Sequence, residues 1–224
     1  MAKPPGKQRG LTTQVRATAG RSVKSREWLQ RQLNDPYVQA AQKAGWRSRA
    51  AFKLIQLDEK FHLLKPGLRV VDLGAAPGGW MQVAAQKGCR VIGLDLLEIA
   101  PVPGTLALQG DFQDAAVEQR VLDAMAGSDG KSGADLVLSD MAPNTTGHGP
   151  TDHLRIMGLA EIALDFAERV LTPGGGFVAK VFQGGSEQAM LARLKQRFAT
   201  VRHAKPAASR KDSSELYVVA TGFR

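Results

Sequence analysis

Three observations predict that this chain folds as a doubly wound α/β sheet. Short apolar runs alternate with stretches of helical periodicity. The first of those runs, Leu68 to Leu73, breaks into a Gly- and Pro-rich turn and resumes as a helix at Trp80. Four successive runs carry an aspartate at or beside their end, at Asp72, Asp95, Asp111 and Asp140.

The length of 224 residues fits one domain with short extensions, and 43% hydrophobic residues is enough for a full core. No apolar run approaches the length of a membrane span, and no signal-peptide core opens the chain, so no membrane partner is expected. The single cysteine, Cys89, has no partner for an internal disulfide, which agrees with a reducing, cytoplasmic setting. Standing before a strand, it reads as a small buried residue. No Cys/His group has zinc spacing, and His148 and His153 sit in or beside a Gly-rich loop, so no metal is expected.

The net charge of +9 is unevenly spread. Residues 1–53 hold twelve Lys and Arg against two acids, whereas the remainder holds eighteen against nineteen. Residues 1–24 are basic, free of acids and contain Pro4-Pro5-Gly6, so they form a disordered arm that suits a polyanionic partner held by counterion release. A solubilising tail or a transit peptide is the alternative, although the Gly and Pro content opposes the amphipathic helix a transit peptide needs.

From Ser25, which can cap a helix through Leu33, the chain meets Asn34-Asp35-Pro36, read as an interruption. A second helix restarts at Ser48 and carries Ala51, Leu54 and Ile55 on toward Phe61. Trp46, Arg47 and Arg49 precede it as a basic-aromatic cluster of the kind that stacks on bases and grips phosphates, or packs a helix start. Lys53 lies in the most apolar part of this helix, where the default is a snorkelling surface lysine.

The turn from Gly74 to Gly79 lets the backbone approach a ligand, and the following helix start offers free N–H groups. It lacks the Gly-Lys-Ser/Thr of a phosphate-gripping loop, which opposes NTP hydrolysis. Ala76 replaces the second glycine of a dinucleotide fingerprint and Pro77 has no N–H to give a pyrophosphate, which opposes an NAD-dependent oxidoreductase. A smaller nucleoside ligand such as S-adenosylmethionine (SAM) fits better. Arg90 to Asp95 is the second strand, its acid 21 positions after Gly74, suited to ribose hydroxyls. Leu106 to Phe112 contains Asp111, and Ala134 to Asp140 ends before Met141-Ala142-Pro143. A lone strand-end aspartate is usually a cap or turn former. Four at one sheet edge mark a ligand site, because such sheets bind ligands beyond the carboxyl ends of their strands.

Asn144 to Asp152 reads as a Gly/Thr/Pro lid loop, and Leu154 to Leu171 as a long helix stopped by Pro173-Gly174-Gly175-Gly176. In the next strand, Phe177 to Phe182, Lys180 is costly if both faces are covered, so it should face a polar cleft. A helix from Ser186 to Phe198 and strands Thr200 to Lys205 and Glu215 to Thr221 close the chain, with Arg210 and Lys211 in the intervening loop as a second candidate polyanion contact. Residues 25–224 form a single domain with no internal repeat.

Five segments carry a resemblance. Asp72–Trp80, Arg47–Leu54, Ser139–Asn144, Val178–Gly184 and Ser214–Gly222 resemble, in order, the FtsJ-type (RrmJ-like) ribose 2′-O-methyltransferases, and within them the bacterial enzymes acting on a uridine of large-subunit (23S) ribosomal RNA. The resemblance runs from about Ser25 to the C-terminus and departs only in loops, at Gly127 to Gly133 and Gly147 to Asp152. It implies a Rossmann-like SAM-dependent methyltransferase fold, mostly parallel with an antiparallel last strand, a monomer, and ribosomal RNA in the large subunit as partner. It implies a catalytic tetrad of Lys53, Asp140, Lys180 and Glu215. SAM contacts are implied at Gly78 and Trp80 in the first loop, at Asp95 for the ribose, at Asp111 near the adenine and at Asp140 near the methionine end.

The residue types suit that chemistry. A ribose hydroxyl is a poor nucleophile, so its proton must be accepted or its developing charge stabilised. Lys180 is the candidate base; the alternative is that it stays protonated and steadies the alkoxide. Enzymes that methylate exocyclic base nitrogens place a second Pro and an aromatic after the acid, and Asp140-Met141-Ala142-Pro143 has neither. Methylation of a transfer RNA ribose and a non-catalytic ribosome-assembly role are the rival readings, since phosphate contacts carry no sequence information.

Overall fold

Val70, Val71 and Leu73 are all buried although neighbours along a strand point to opposite faces, so β1 (Arg69–Leu73) has to be covered on both sides. The same holds for β4 (Ala134–Ser139), where Leu136 and Leu138 enter one core and Val137 the other. This computed structural model of the chain describes residues 29–30, 32–126, 132–143, 149–182, 188–210 and 213–224. The arm at residues 1–24 lies outside them, as do residues 144–148 of the expected lid, Lys211 and most of the loop before Gly133.

On one face lie α1 (Pro36–Ala44), α2 (Ala51–Phe61) and α3 (Gly79–Gln86), with Leu54, Leu57, Trp80 and Met81 meeting Val70 and Val178. On the other lie α4 (Ala115–Met125), α5 (Gly149–Val170) and α6 (Gln188–Arg197), with Val121, Leu164, Phe166 and Leu194 meeting Val71 and Phe177. The remaining strands are β2 (Arg90–Asp95), β3 (Thr105–Gln109), β5 (Leu171–Phe182), β6 (Phe198–Ala204) and β7 (Glu215–Phe223).

The seven strands run in the order β3-β2-β1-β4-β5-β7-β6. β1 to β5 pair in parallel, and β7 is antiparallel to both β5 and β6. The predicted doubly wound, mostly parallel sheet with an antiparallel last strand is therefore the fold. Strand order reverses between β1 and β4, which opens a crevice at their carboxyl ends.

Three differences from the sequence reading have local causes. Asn34-Asp35-Pro36 starts a helix rather than only ending one. Asp35 accepts from the Tyr37 N–H at 2.9 Å and Pro36 takes the first turn, where a missing N–H costs nothing. Asp114 caps α4, a helix absent from the sequence reading, in the same way through Ala116. Finally, α5 starts at Gly149 and ends at Val170, and the expected stop at Pro173 to Gly176 lies within β5, where a register shift between Ala134 and Leu136 accommodates the proline.

At the opposite edge of the sheet, Arg69 on β1 grips Asp135 on β4 through Nε at 3.0 Å, Nη2 at 2.8 Å and its backbone N–H at 2.9 Å. The Arg69 side chain, aided by Thr172, holds the Asp135 carboxyl down to about 2. A carboxyl depressed in the folded state stabilises above its ordinary value and loses that contribution as pH falls through the folded one. Asp135→Asn is therefore expected to destabilise by about 1–2 kcal/mol at pH 7. In urea unfolding series the gap to the parent chain should close between about pH 4 and pH 2; a gap that persists at pH 2 would mean the ion pair is not its source.

Candidate active site

Register brings the site together. On β5 Val178 faces the α2/α3 core, so Lys180, two residues on, faces the same way. Across the β5–β7 ladder Lys180 pairs with Tyr217 and Phe182 with Glu215, which puts Tyr217 and Glu215 on one face of β7. Ser139 pairs with Ala179, so Asp140, just past the end of β4, arrives beside Lys180. The fourth side comes from α2, whose apolar stripe of Ala51, Leu54 and Leu57 is buried on the sheet while Lys53 reaches over its end.

The resulting cluster is continuous. Lys180 Nζ donates to the Asp140 carbonyl at 2.7 Å and to its Oδ1 at 3.0 Å. Lys53 Nζ lies 3.4 Å from both Asp140 oxygens, 2.9 Å from Glu215 Oε1 and 2.9 Å from the Tyr217 hydroxyl. The Tyr217 hydroxyl donates to Asp140 Oδ1 at 2.5 Å. Burial pushes the Asp140 carboxyl up, but the charges of Lys53 and Lys180 and the Tyr217 hydroxyl outweigh it, so it stays below its ordinary value. Burial, then Asp140 and Glu215, push the Tyr217 phenol well above its own, which keeps it a neutral donor. Two lysines thus face two carboxylates. Asp72 lies beneath at 2% exposure, and its Oδ2 has no hydrogen-bond partner among the described residues. Burial, then the negative charges of Asp140 and Asp95, raise its pKa well above the ordinary carboxyl value.

A cavity of about 810 Å³ opens from Asp140 along the carboxyl ends of β1 to β4. Gly74 and Ala76 line it from the first loop, Asp95, Leu96 and Leu97 from the second, and Asp111 and Phe112 from the third. Met141 to Pro143 and the α5 residues Arg155, Gly158 and Leu159 close the other side. Asp95 accepts from the Ala76 and Leu97 N–H groups, both at 2.9 Å, and Asp111 from the Gln113 N–H at 2.9 Å. These aspartates are turn formers and cavity walls at once. Gly74 has φ +70, and a Cβ there would sit 2.4 Å from Met141 Cγ, so only glycine lets the first and fourth loops close on each other.

Of the residues expected at this site, Asp95, Asp111 and Asp140 line the cavity, and Lys53, Lys180 and Glu215 join Asp140 at its end. Gly78 and Trp80 do not line it. The Trp80 side chain is 3% exposed, its ring tilted at 41° to that of Tyr217 with centroids 5.8 Å apart, and Nε1 donates to the Ala50 carbonyl at 2.7 Å. Its bulk packs α3 against α2 and β7. The basic-aromatic cluster is also tied to the protein's own groups, with the Arg47 hydrogen bonds lying at the surface. Trp46 packs on the core, Arg49 binds Asp35 and the Ala208 carbonyl, and Arg47 binds three carbonyls. Arg210 lies 3.9 Å from Asp35.

Two members of the cluster escape sequence reasoning. Tyr217 follows Glu215 by two positions, so strand alternation alone would have put it on the same face. Ser209 donates to Glu215 Oε1 at 2.6 Å from a turn whose Ala208 N–H is held by Gln56 at 2.8 Å. No signal in the sequence folds that turn back on α2.

Among the described residues no group of His, Cys, Asp and Glu could hold a metal ion, and no helix is long and apolar enough to cross a membrane. The FtsJ-like methyltransferase family model matches residues 46–223. A protein of Granulibacter bethesdensis named ribosomal RNA large subunit methyltransferase E is 61% identical over 99% of this chain and 95% of its own length. Its namesake from Paramagnetospirillum magneticum is 60% identical over 99% of this chain and 92% of its own. Among solved structures, a ribosomal RNA methyltransferase from Plasmodium falciparum superposes with a TM-score of 0.69 at 29% identity, covering 80% of this chain and 98% of that one. With its sheet order, its carboxylate-lined crevice and these matches, the chain belongs to the FtsJ-like methyltransferase family.

Proposed function

We propose that this enzyme transfers a methyl group from SAM to the ribose 2′-hydroxyl of a uridine in large-subunit (23S) ribosomal RNA. The observation that carries the reading is the hydrogen-bonded group of Lys53, Asp140, Lys180 and Glu215 at the end of a nucleoside-sized cavity. The names of the curated relatives support ribosomal RNA over transfer RNA as substrate.

The residues of the cavity fit the cofactor. The Gly74 and Ala76 turn offers close-approaching backbone to a ligand's polar end, the Asp95 and Asp111 carboxylates suit ribose hydroxyls and an exocyclic amine, and Leu96, Leu97 and Phe112 offer apolar surface to a base. When bound, SAM supplies a methyl group activated on a sulfonium. Lys180 acts at Nζ on the hydroxyl, taking its proton when neutral or steadying the alkoxide when charged, and Asp140 aims that nitrogen through Oδ1 and its own carbonyl. Lys53 and Tyr217 fix Asp140 in turn, and Glu215 balances the charge of Lys53. Held in this way, donor and acceptor need little further ordering, which is where positioned displacement reactions gain much of their rate. Residues 25–224 act as one methyltransferase domain, and the basic arm at 1–24 contacts RNA phosphates.

Purified protein, isotopically labelled SAM, and large ribosomal subunits or transfer RNA lacking ribose methylation test this directly. Mass spectrometry of nuclease digests should find the label on a uridine 2′-oxygen of the large-subunit RNA. Label on transfer RNA would overturn the substrate and leave the chemistry; label on neither would overturn both.

A further inference from the structure

We infer that Arg47 is a positioning residue for the cofactor cleft, a clamp on the outer side of its two loops, and not a phosphate contact. The inference rests on the SAM-binding reading of the cavity.

Two of the loops that wall that cleft follow β1 and β2. On the cavity side Asp95 ties them by accepting from the Ala76 and Leu97 N–H groups. On the far side Arg47 ties them with the complementary chemistry. Its Nη1 donates to the Pro77 carbonyl at 3.0 Å and the Ala100 carbonyl at 2.5 Å, and its Nη2 to the Pro101 carbonyl at 2.5 Å. A carboxylate collects N–H groups from one face while a guanidinium collects carbonyls from the other. The loops are pinned between them.

Arg47 is itself anchored to the element that follows the first loop. Its backbone N–H donates to Gln82 Oε1 on α3 at 2.8 Å, and Gln82 Nε2 returns to the Gly45 carbonyl at 3.2 Å. Gly78 adds an independent sign. A Cβ there would lie 3.0 Å from Arg47 Nη1 and 2.9 Å from Val102 Cγ2, so the glycine, at φ +101, leaves the room the guanidinium occupies. Gly78 serves the cleft by admitting Arg47 rather than by lining the cavity. A lysine could not substitute, because a point charge cannot span carbonyls that a planar fork reaches together.

The test is isothermal titration with S-adenosylhomocysteine as probe, run well below the unfolding temperature, on the parent chain, Arg47→Met and Arg47→Lys, alongside a salt series of binding to large ribosomal subunits. Both variants should bind the probe about tenfold or more weakly at unchanged stoichiometry, with KM for SAM rising more than kcat falls. A purely structural role would lower the stoichiometry, through loss of folded protein, and leave the affinity of the folded fraction alone. Arg47→Lys decides the matter where Arg47→Met does not fold. The slope of log K against log salt for ribosome binding should match the parent chain's in both. Affinity for the probe within twofold of parent, or a slope for Arg47→Met reduced by about one, overturns the inference and makes Arg47 a phosphate contact. Failure of the parent chain to bind the probe overturns instead the cofactor reading beneath it.

Discussion

Lys180→Met lowers kcat by about 10²–10⁴-fold while leaving S-adenosylhomocysteine binding within a few-fold of the parent chain. The size follows from what the side chain can do. Lys180 sits at 7% exposure with two hydrogen bonds, both to Asp140, and it does not line the cavity as mapped by its walls. It therefore adds little to cofactor affinity and much to the acceptor's proton. Methionine matches the length of the stem but leaves Asp140 with Lys53 and Tyr217 as its remaining partners, so some loss of stability accompanies the loss of rate. Lys180→Arg separates the two roles open to the lysine. Arginine keeps the positive charge but cannot give up its proton. An arginine variant as inactive as the methionine variant supports proton acceptance; one that recovers a tenth or more of the parent rate assigns Lys180 to charge stabilisation. Near-parent turnover in the methionine variant would remove Lys180 from the reaction altogether.

Most of the sheet and much of the candidate site were legible in the sequence, for physical reasons that also explain the remainder. A parallel strand buried on both faces must be apolar throughout, so β1, β4 and β5 stand out as runs, and a lysine within one of them announces itself by its cost. Strand-end aspartates are visible for the same reason, since the chain ends each run with a turn former. What sequence periodicity cannot show is the direction of a side chain at a loop or helix start. Arg47, Arg49 and Trp46 have the composition of a nucleic-acid surface, yet each has an internal partner that lies 30 or more residues away in the chain or in the core. Long-range partners of that kind carry no local spacing. Ser209 is hidden in the same way, because its value lies in a turn that Gln56 and Arg49 hold against α2 from more than a hundred residues upstream.

Trp80→Ala destabilises the fold by about 3–5 kcal/mol, the range for emptying a buried aromatic site, and lowers Tm by on the order of 10 °C in a domain of this size. The indole packs at a tilt against Tyr217, which belongs to the catalytic cluster, and its Nε1 holds the carbonyl of Ala50, the residue at the start of the helix that carries Lys53. Removing it leaves both a cavity and an unpaired buried carbonyl. Trp80→Phe separates these losses: most of the ring volume stays, the N–H goes, and a cost of about 1–2 kcal/mol is expected. In both variants the probe S-adenosylhomocysteine should bind the folded protein with nearly parent affinity at a temperature well below Tm, because the side chain does not line the cavity. Activity should nonetheless fall, since Tyr217 loses its ring neighbour and the helix that carries Lys53 loses its tie at Ala50. A Tm unchanged within 2 °C together with a tenfold weaker probe would reverse the assignment and make the indole a wall of the cofactor site. The expected pattern makes Trp80 the rivet between the cofactor-side helix and the helix bearing the catalytic lysine, so the stability of the core and the geometry of the reaction depend on the same ring.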